Sequence, residues 1–75
     1  MREAYVLINT SVNTERKVMG KLGLITGVTE VHIILGVYDL IVRVQANTLE
    51  ELKRIILEEI RSLDNIRTTI TMILI

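Results

Sequence analysis

The chain contains no cysteine, and its only aromatic residues are two tyrosines. The first absence excludes disulfides and thiol catalysis. The second leaves little with which to stack nucleobases. There is one histidine, His32, and no nucleophile stands in a recognisable relation to it, so His32 reads as a packed or hydrogen-bonded interface residue rather than a general base. Nine basic and nine acidic residues cancel to a net charge of zero. Without a basic field the chain cannot neutralise a row of phosphates, and direct DNA binding is not expected. Apolar runs are interrupted at Gly36 and Asp39, well short of a membrane span. The residues after Met1 alternate like a strand rather than forming a signal peptide. A soluble, cytoplasmic protein is expected. No metal or other cofactor is implied: Gly20, Gly23, Gly27 and Gly36 lack the spacing of a phosphate-cradling loop, and the carboxylates fall mainly on helix surfaces.

What remains is aliphatic. Hydrophobic residues make up 49% of 75 residues, a length at which one core is marginally sufficient. A monomer of this size cannot hide so much apolar surface, so self-association is expected. The whole chain, residues 1–75, reads as one domain with no linker or low-complexity segment.

Val31 to Val44 organises that domain. Val31, Ile33 and Leu35 alternate towards Gly36, and Tyr38, Leu40, Val42 and Val44 alternate away from it, the pattern of a β-hairpin. Gly36 supplies the positive φ of the turn. A first strand carries Ala4, Val6 and Ile8 on one face and Tyr5 and Leu7 on the other. A short helix runs from about Thr14 to Leu22, capped by Asn13 or Thr14, with Gly23 at its close. Thr48 and Glu51 form a capping box for a second helix whose apolar stripe is Leu49, Leu52, Ile56, Ile60 and Leu63. Glu50, Arg54 and Glu58 follow at i, i+4 and i+8 on its polar side. The last strand spans Arg67 to Ile75, with Ile70, Met72 and Leu74 expected to face the helices.

The order β-α-β-β-α-β predicts a ferredoxin-like α+β fold, a four-stranded antiparallel sheet in the order β4-β1-β3-β2 with both helices on one face. The open face would then hold Tyr5, Leu7, His32, Ile34, Val37, Asp39, Ile41, Arg43, Thr69, Thr71, Ile73 and Ile75. That mixture of aliphatic and polar groups fits a protein interface better than a solvated face, and it predicts a sheet-to-sheet homodimer.

Asp39 admits two readings, a solvated strand-end residue or a ligand anchor. Thr69 and Thr71 are either β-branched strand formers or a pair of hydroxyls for a ligand. Together these three residues are suited to a free amino acid, the carboxylate taking its ammonium group while hydroxyls and backbone N–H groups near Gly36 hold its carboxylate. The first strand separates Asp39 from the threonines within one subunit, so they would meet only across a subunit boundary or near the sheet's end.

The hairpin Leu35-Gly36-Val37-Tyr38-Asp39-Leu40 and the ending Ile66-Arg67-Thr68-Thr69-Ile70-Thr71 resemble, respectively, the G-x-Y-D segment and the close of the RAM domain. This domain is the effector-binding half of Lrp/AsnC (feast/famine) transcription regulators. The resemblance covers essentially the whole chain. It implies dimers joined through their sheets, rings of dimers, and a free amino acid bound between dimers by Leu35, Gly36, Val37, Tyr38, Asp39, Thr69 and Thr71. Full-length members of the family carry a helix-turn-helix ahead of this domain, whereas here Met1 leads straight into a strand. A stand-alone domain is therefore expected, acting by itself or by co-assembly with full-length Lrp/AsnC-type regulators. The rival readings are an ACT-type regulatory domain, a small dimeric α+β barrel enzyme using His32, and a structural oligomer without ligand.

Overall fold

Ala4, Val6 and Ile8 of β1 (Arg2–Thr10) lie directly opposite Val44, Val42 and Leu40 of β3 (Leu40–Ala46), and all six are fully buried. The alternation read from both strands is therefore the phase in which they pair. The computed structural model describes residues 1–75. Between these strands come α1 (Glu15–Leu22) and β2 (Val28–Ile33); after them come α2 (Leu49–Arg54), continued by a π-helical stretch over Ile55–Ile60, and β4 (Ile66–Ile73). β1 sits between β3 and β4, β2 lies outside β3, and every pairing is antiparallel. This is the expected ferredoxin-like fold. One core cluster joins the sheet to Val18 and Leu22 of α1 and to Leu52, Ile55, Ile56 and Ile60 of the second helix. Burying each such side chain contributes roughly 1.5–3 kcal/mol relative to exposure.

β2 starts earlier than the alternation suggests, at Val28, and its pairing shifts between Val28 and Glu30. The bulge brings Val28 and Val31 to the same side, against Val44 and Val42. Gly27 leads into it with φ +103°, and a Cβ there would sit 2.7 Å from Ile55 Cδ1 and 3.0 Å from the Gln45 carbonyl oxygen. Glycine is required at this position both by conformation and by space.

The hairpin is shorter than expected. β2 ends at Ile33 and β3 begins at Leu40, leaving Ile34 to Asp39 as a loop closed by the Ile34 N–H donating to the Asp39 carbonyl at 2.9 Å. Leu35, which continues the strand alternation in sequence, is 104% exposed, and Val37 is 85% exposed. Ile34 and Tyr38 are half-buried in the loop and lie outside the strands.

The larger correction concerns β4. Asn9 pairs with Thr68, but Thr10 pairs with Ile66, so Arg67 is the extra residue of a bulge. One inserted residue transfers every side chain beyond it to the other face. Ile66 faces the core; beyond the bulge Thr69, Thr71 and Ile73 pair with Ile8, Val6 and Ala4 and take the helix side. Ile70 and Met72, opposite Leu7 and Tyr5, lie on the open face. Thr69, Thr71 and Ile73 are thus not on the open face, where they were expected, and Ile75 lies beyond the strand, fully exposed.

In α2 the Thr48 hydroxyl accepts from the Glu51 N–H at 3.1 Å, as the capping box predicts. The Glu51 carboxylate instead pairs with Arg54, which also reaches Glu59 at 2.8 Å. Glu50 and Glu58 do not take these roles. The wider π-helical turn makes residues five apart neighbours, and the Arg61 N–H accordingly donates to the Ile56 carbonyl. No helix is long and apolar enough to cross a membrane.

Candidate functional site

At the end of the sheet where β1 finishes, Asp39 does structural work. Its N–H donates to the Ile8 carbonyl at 2.9 Å, and its Oδ2 accepts from the Thr10 N–H at 2.8 Å and from the Thr10 hydroxyl at 3.4 Å. The carboxylate extends the β1–β3 ladder by one acceptor beyond the last paired residue of β3. It also satisfies Thr10, the one buried polar residue of the chain. Its other oxygen, Oδ1, has no partner within the chain.

Asp39 borders an open depression of about 280 Å³ whose other walls are Asn9, Thr10, Arg67 and Thr68, with no hydrophobic residue among them. Asn9 Nδ2 donates to the Thr68 hydroxyl at 3.1 Å. The polar end of β1 was visible in the sequence as the Asn9–Asn13 stretch. Nothing in the alternation signalled the bulge that sets Arg67 and Thr68 beside it.

Thr69 and Thr71, grouped with Asp39 by residue type, are not brought to it. Thr69 lines a neighbouring depression with Arg61, and Thr71 lines an apolar groove with Ile73, Ile56 and Leu57 between β4 and the second helix. Gly36, with φ +152°, and its neighbours Leu35 and Val37 stand out from the sheet in the loop that ends at Asp39.

The open face carries Tyr5, Leu7 and Ile41, half-buried, beside the exposed Ile70 and Met72. Arg43 is set among them. It bonds Glu3 through Nε at 3.0 Å and Glu30 through a terminal nitrogen at 3.0 Å, while Gln45 Nε2 donates to Glu3 at 2.8 Å. His32 Nε2 lies 3.2 Å from Glu30. The Arg43 and Gln45 hydrogen bonds hold the Glu3 carboxyl below its ordinary range, and those of His32 and Arg43 do the same for Glu30. The Arg43 guanidinium is in turn pushed up.

The largest depression, about 590 Å³, lies at the far end of the sheet, around Gly27, Asn47 and the first turn of α2. Its charged side chains, Glu51 and Arg54, pair with each other, and Gln45 is bonded to Glu3. The smaller depression at Asp39 is the better candidate because it brings together a carboxylate and an arginine that form no ion pair. No three side chains of the His, Cys, Asp or Glu type are grouped to hold a metal ion.

The space between the sheet and the helices is filled by an aliphatic core, so the depressions lie at the surface of the domain. The chain belongs to the Lrp/AsnC ligand binding domain family, which it matches over residues 3–75. It is 37% identical over 73 residues to an uncharacterized HTH-type transcriptional regulator of Pyrococcus abyssi, an alignment covering 93% of this chain and 49% of that protein. The chain thus spans about half the length of the curated regulators it matches. The crystal structure of FFRP-DM1 is 43% identical, covers all of both chains and superimposes with a TM-score of 0.95. A transcriptional regulator of Neisseria meningitidis, solved as its L-Met complex, has a TM-score of 0.85 over 99% of this chain and 49% of its own. At 9% identity that likeness is one of fold alone.

Proposed function

We propose that this domain senses a free amino acid, apolar or small, and modulates transcription through its state of assembly. Two copies pack sheet to sheet through Tyr5, Leu7, Ile41, Ile70 and Met72. Dimers join into a ring, and the ligand binds beside Asp39 where copies meet. The domain acts alone or by co-assembly with full-length Lrp/AsnC-type regulators.

The observation that carries this reading is the fixed but half-used carboxylate of Asp39, held by Thr10 through Oδ2 and open at Oδ1. An ammonium group suits that oxygen. The exposed Leu35 and Val37 supply apolar surface in the same loop, of the kind that contacts a second copy or a ligand side chain. Thr69 and Thr71 face away from Asp39 within one chain, so any part they take is in a neighbouring copy's site. That a regulator of the same fold is known as its L-Met complex agrees with an amino-acid effector. The barrel-enzyme reading lacks support, since the space between sheet and helices is packed with aliphatic side chains.

A thermal-shift screen against the twenty amino acids tests the proposal. A ligand that binds only the folded form, present at about 100 times its dissociation constant, adds roughly 2.7 kcal/mol of stability. A response confined to a few amino acids is expected. A flat response to all twenty would leave the domain as a scaffold.

A further inference from the structure

The depression beside Asp39 holds a second unpaired charge, of the opposite sign. Arg67 is the extra residue of the β4 bulge, and bulges re-aim side chains that a regular strand would keep in line. Arg67 lines the same depression as Asp39 and also borders the neighbouring one that holds Arg61. The arginines that form ion pairs are Arg43 and Arg54; neither Arg67 nor Asp39 enters one. The neutral groups around them are engaged with their neighbours, Asn9 with Thr68 and the Thr10 hydroxyl with Asp39. What the depression offers a ligand is therefore one carboxylate with an unbonded oxygen and one unpaired cation, with no apolar wall.

We infer that Arg67 binds the carboxylate of the effector while Asp39 binds its ammonium group, so that the depression recognises the two charged groups common to all free amino acids. A guanidinium matches a carboxylate through two parallel hydrogen bonds, which a carboxamide cannot reproduce. With no hydrophobic residue in its lining, this part of the site reads the zwitterion and does not select the side chain. The inference rests on the amino-acid reading above and names the residue that sets its chemical class.

Three probe mixtures test it by equilibrium dialysis with mass-spectrometric detection: the twenty free L-amino acids, their N-acetyl derivatives, and their C-terminal amides. The full chain is expected to retain one or a few free amino acids. It should bind the matching N-acetyl and amide forms roughly ten- to a hundredfold more weakly, the loss expected when hydrogen bonds to a charged group are removed. In Arg67→Gln the affinity for the free amino acid should fall to that of its amide, erasing the preference between them. Arg61→Gln removes the same charge from the adjoining depression and serves as the control for general electrostatics; the preference should survive it. Unfolding temperatures of both variants separate loss of recognition from loss of fold. An Arg67→Gln protein that still prefers acid to amide would overturn the assignment of Arg67 and leave the amino-acid reading intact. A wild-type chain that retains nothing from any mixture would overturn both.

Discussion

The carboxylate of Asp39 accepts a hydrogen bond from the backbone N–H of Thr10 across the end of β1, at 2.8 Å. Position 39 thus serves stability and, in the proposed function, recognition, and the two can be separated. Asp39→Ala leaves a buried N–H without a partner and should cost about 1–3 kcal/mol. Asp39→Asn keeps an acceptor at that place and should cost less, yet it removes the charge on which an ammonium group depends. Urea unfolding should rank the stabilities wild type, Asn, Ala, with the amino-acid response lost in both variants. Equal stability of Asp39→Ala and wild type would remove the structural role.

A second prediction concerns association. Ile41→Lys places a charge at the centre of the open face, and Met72→Lys does so on β4, opposite Tyr5. Both should dissociate the proposed sheet-packed dimer in sedimentation velocity. Ile73→Lys, on the helix side of the same strand, should leave the dimer in place. The opposite result for Met72 and Ile73 would mean that β4 is not bulged at Arg67.

Gly27 and Gly36 both have positive φ, but only Gly27 is crowded. Gly27→Ala must displace Ile55 and the Gln45 backbone, and it should destabilise by about 1–3 kcal/mol from overpacking, with backbone strain added. Gly36→Ala meets nothing within 4 Å and carries only the conformational cost, so it should be the milder change. Thermal unfolding of the two variants makes the comparison.

Acid should weaken the fold through Glu3, Glu30 and Glu51, each held below its ordinary value of about 4.5 by hydrogen-bonded partners. A carboxyl more acidic in the folded than in the unfolded chain stabilises the fold above that ordinary value. The benefit disappears as pH falls through the depressed folded value. The unfolding temperature should hold from neutrality to about pH 5 and fall below it. Arg43→Met should make the acid limb shallower, because Glu3 and Glu30 lose the partner they share. An unchanged limb would show that the ion network does not contribute.

Much of the fold was legible because β1 and β3 are central strands that alternate cleanly and put their apolar side chains on the buried face. β4 was not. It is an edge strand with aliphatic residues at both phases, Ile70 and Met72 on one and Ile73 on the other, so alternation alone cannot choose a face. The choice is made by the single inserted residue at Arg67, and the bulge appears only once Asn9 and Thr10 have found their partners. The loop from Ile34 to Asp39 departs from the alternation for a related reason. Leu35 and Tyr38 continue the strand alternation in sequence, but Asp39 ends the ladder by bonding across to Ile8 and Thr10. Of the candidate site, Asp39 stands out by residue type and the polar end of β1 by its sequence, whereas Arg67 and Thr68 come beside them only through the pairing of β1 with β4. The ion pair between Arg54 and Glu59 escaped because residues five apart do not meet on an ordinary α-helix.

The central claim is that a free amino acid binds at the end of the sheet beside Asp39. Two-dimensional amide NMR of the labelled protein, titrated with the amino acid that responds in the thermal screen, tests it most directly. Shifts concentrated on Asn9, Thr10, Asp39, Arg67 and Thr68 are predicted. Shifts centred instead on Gly27, Asn47 and the first turn of α2 would place the ligand at the far end of the sheet and contradict the account.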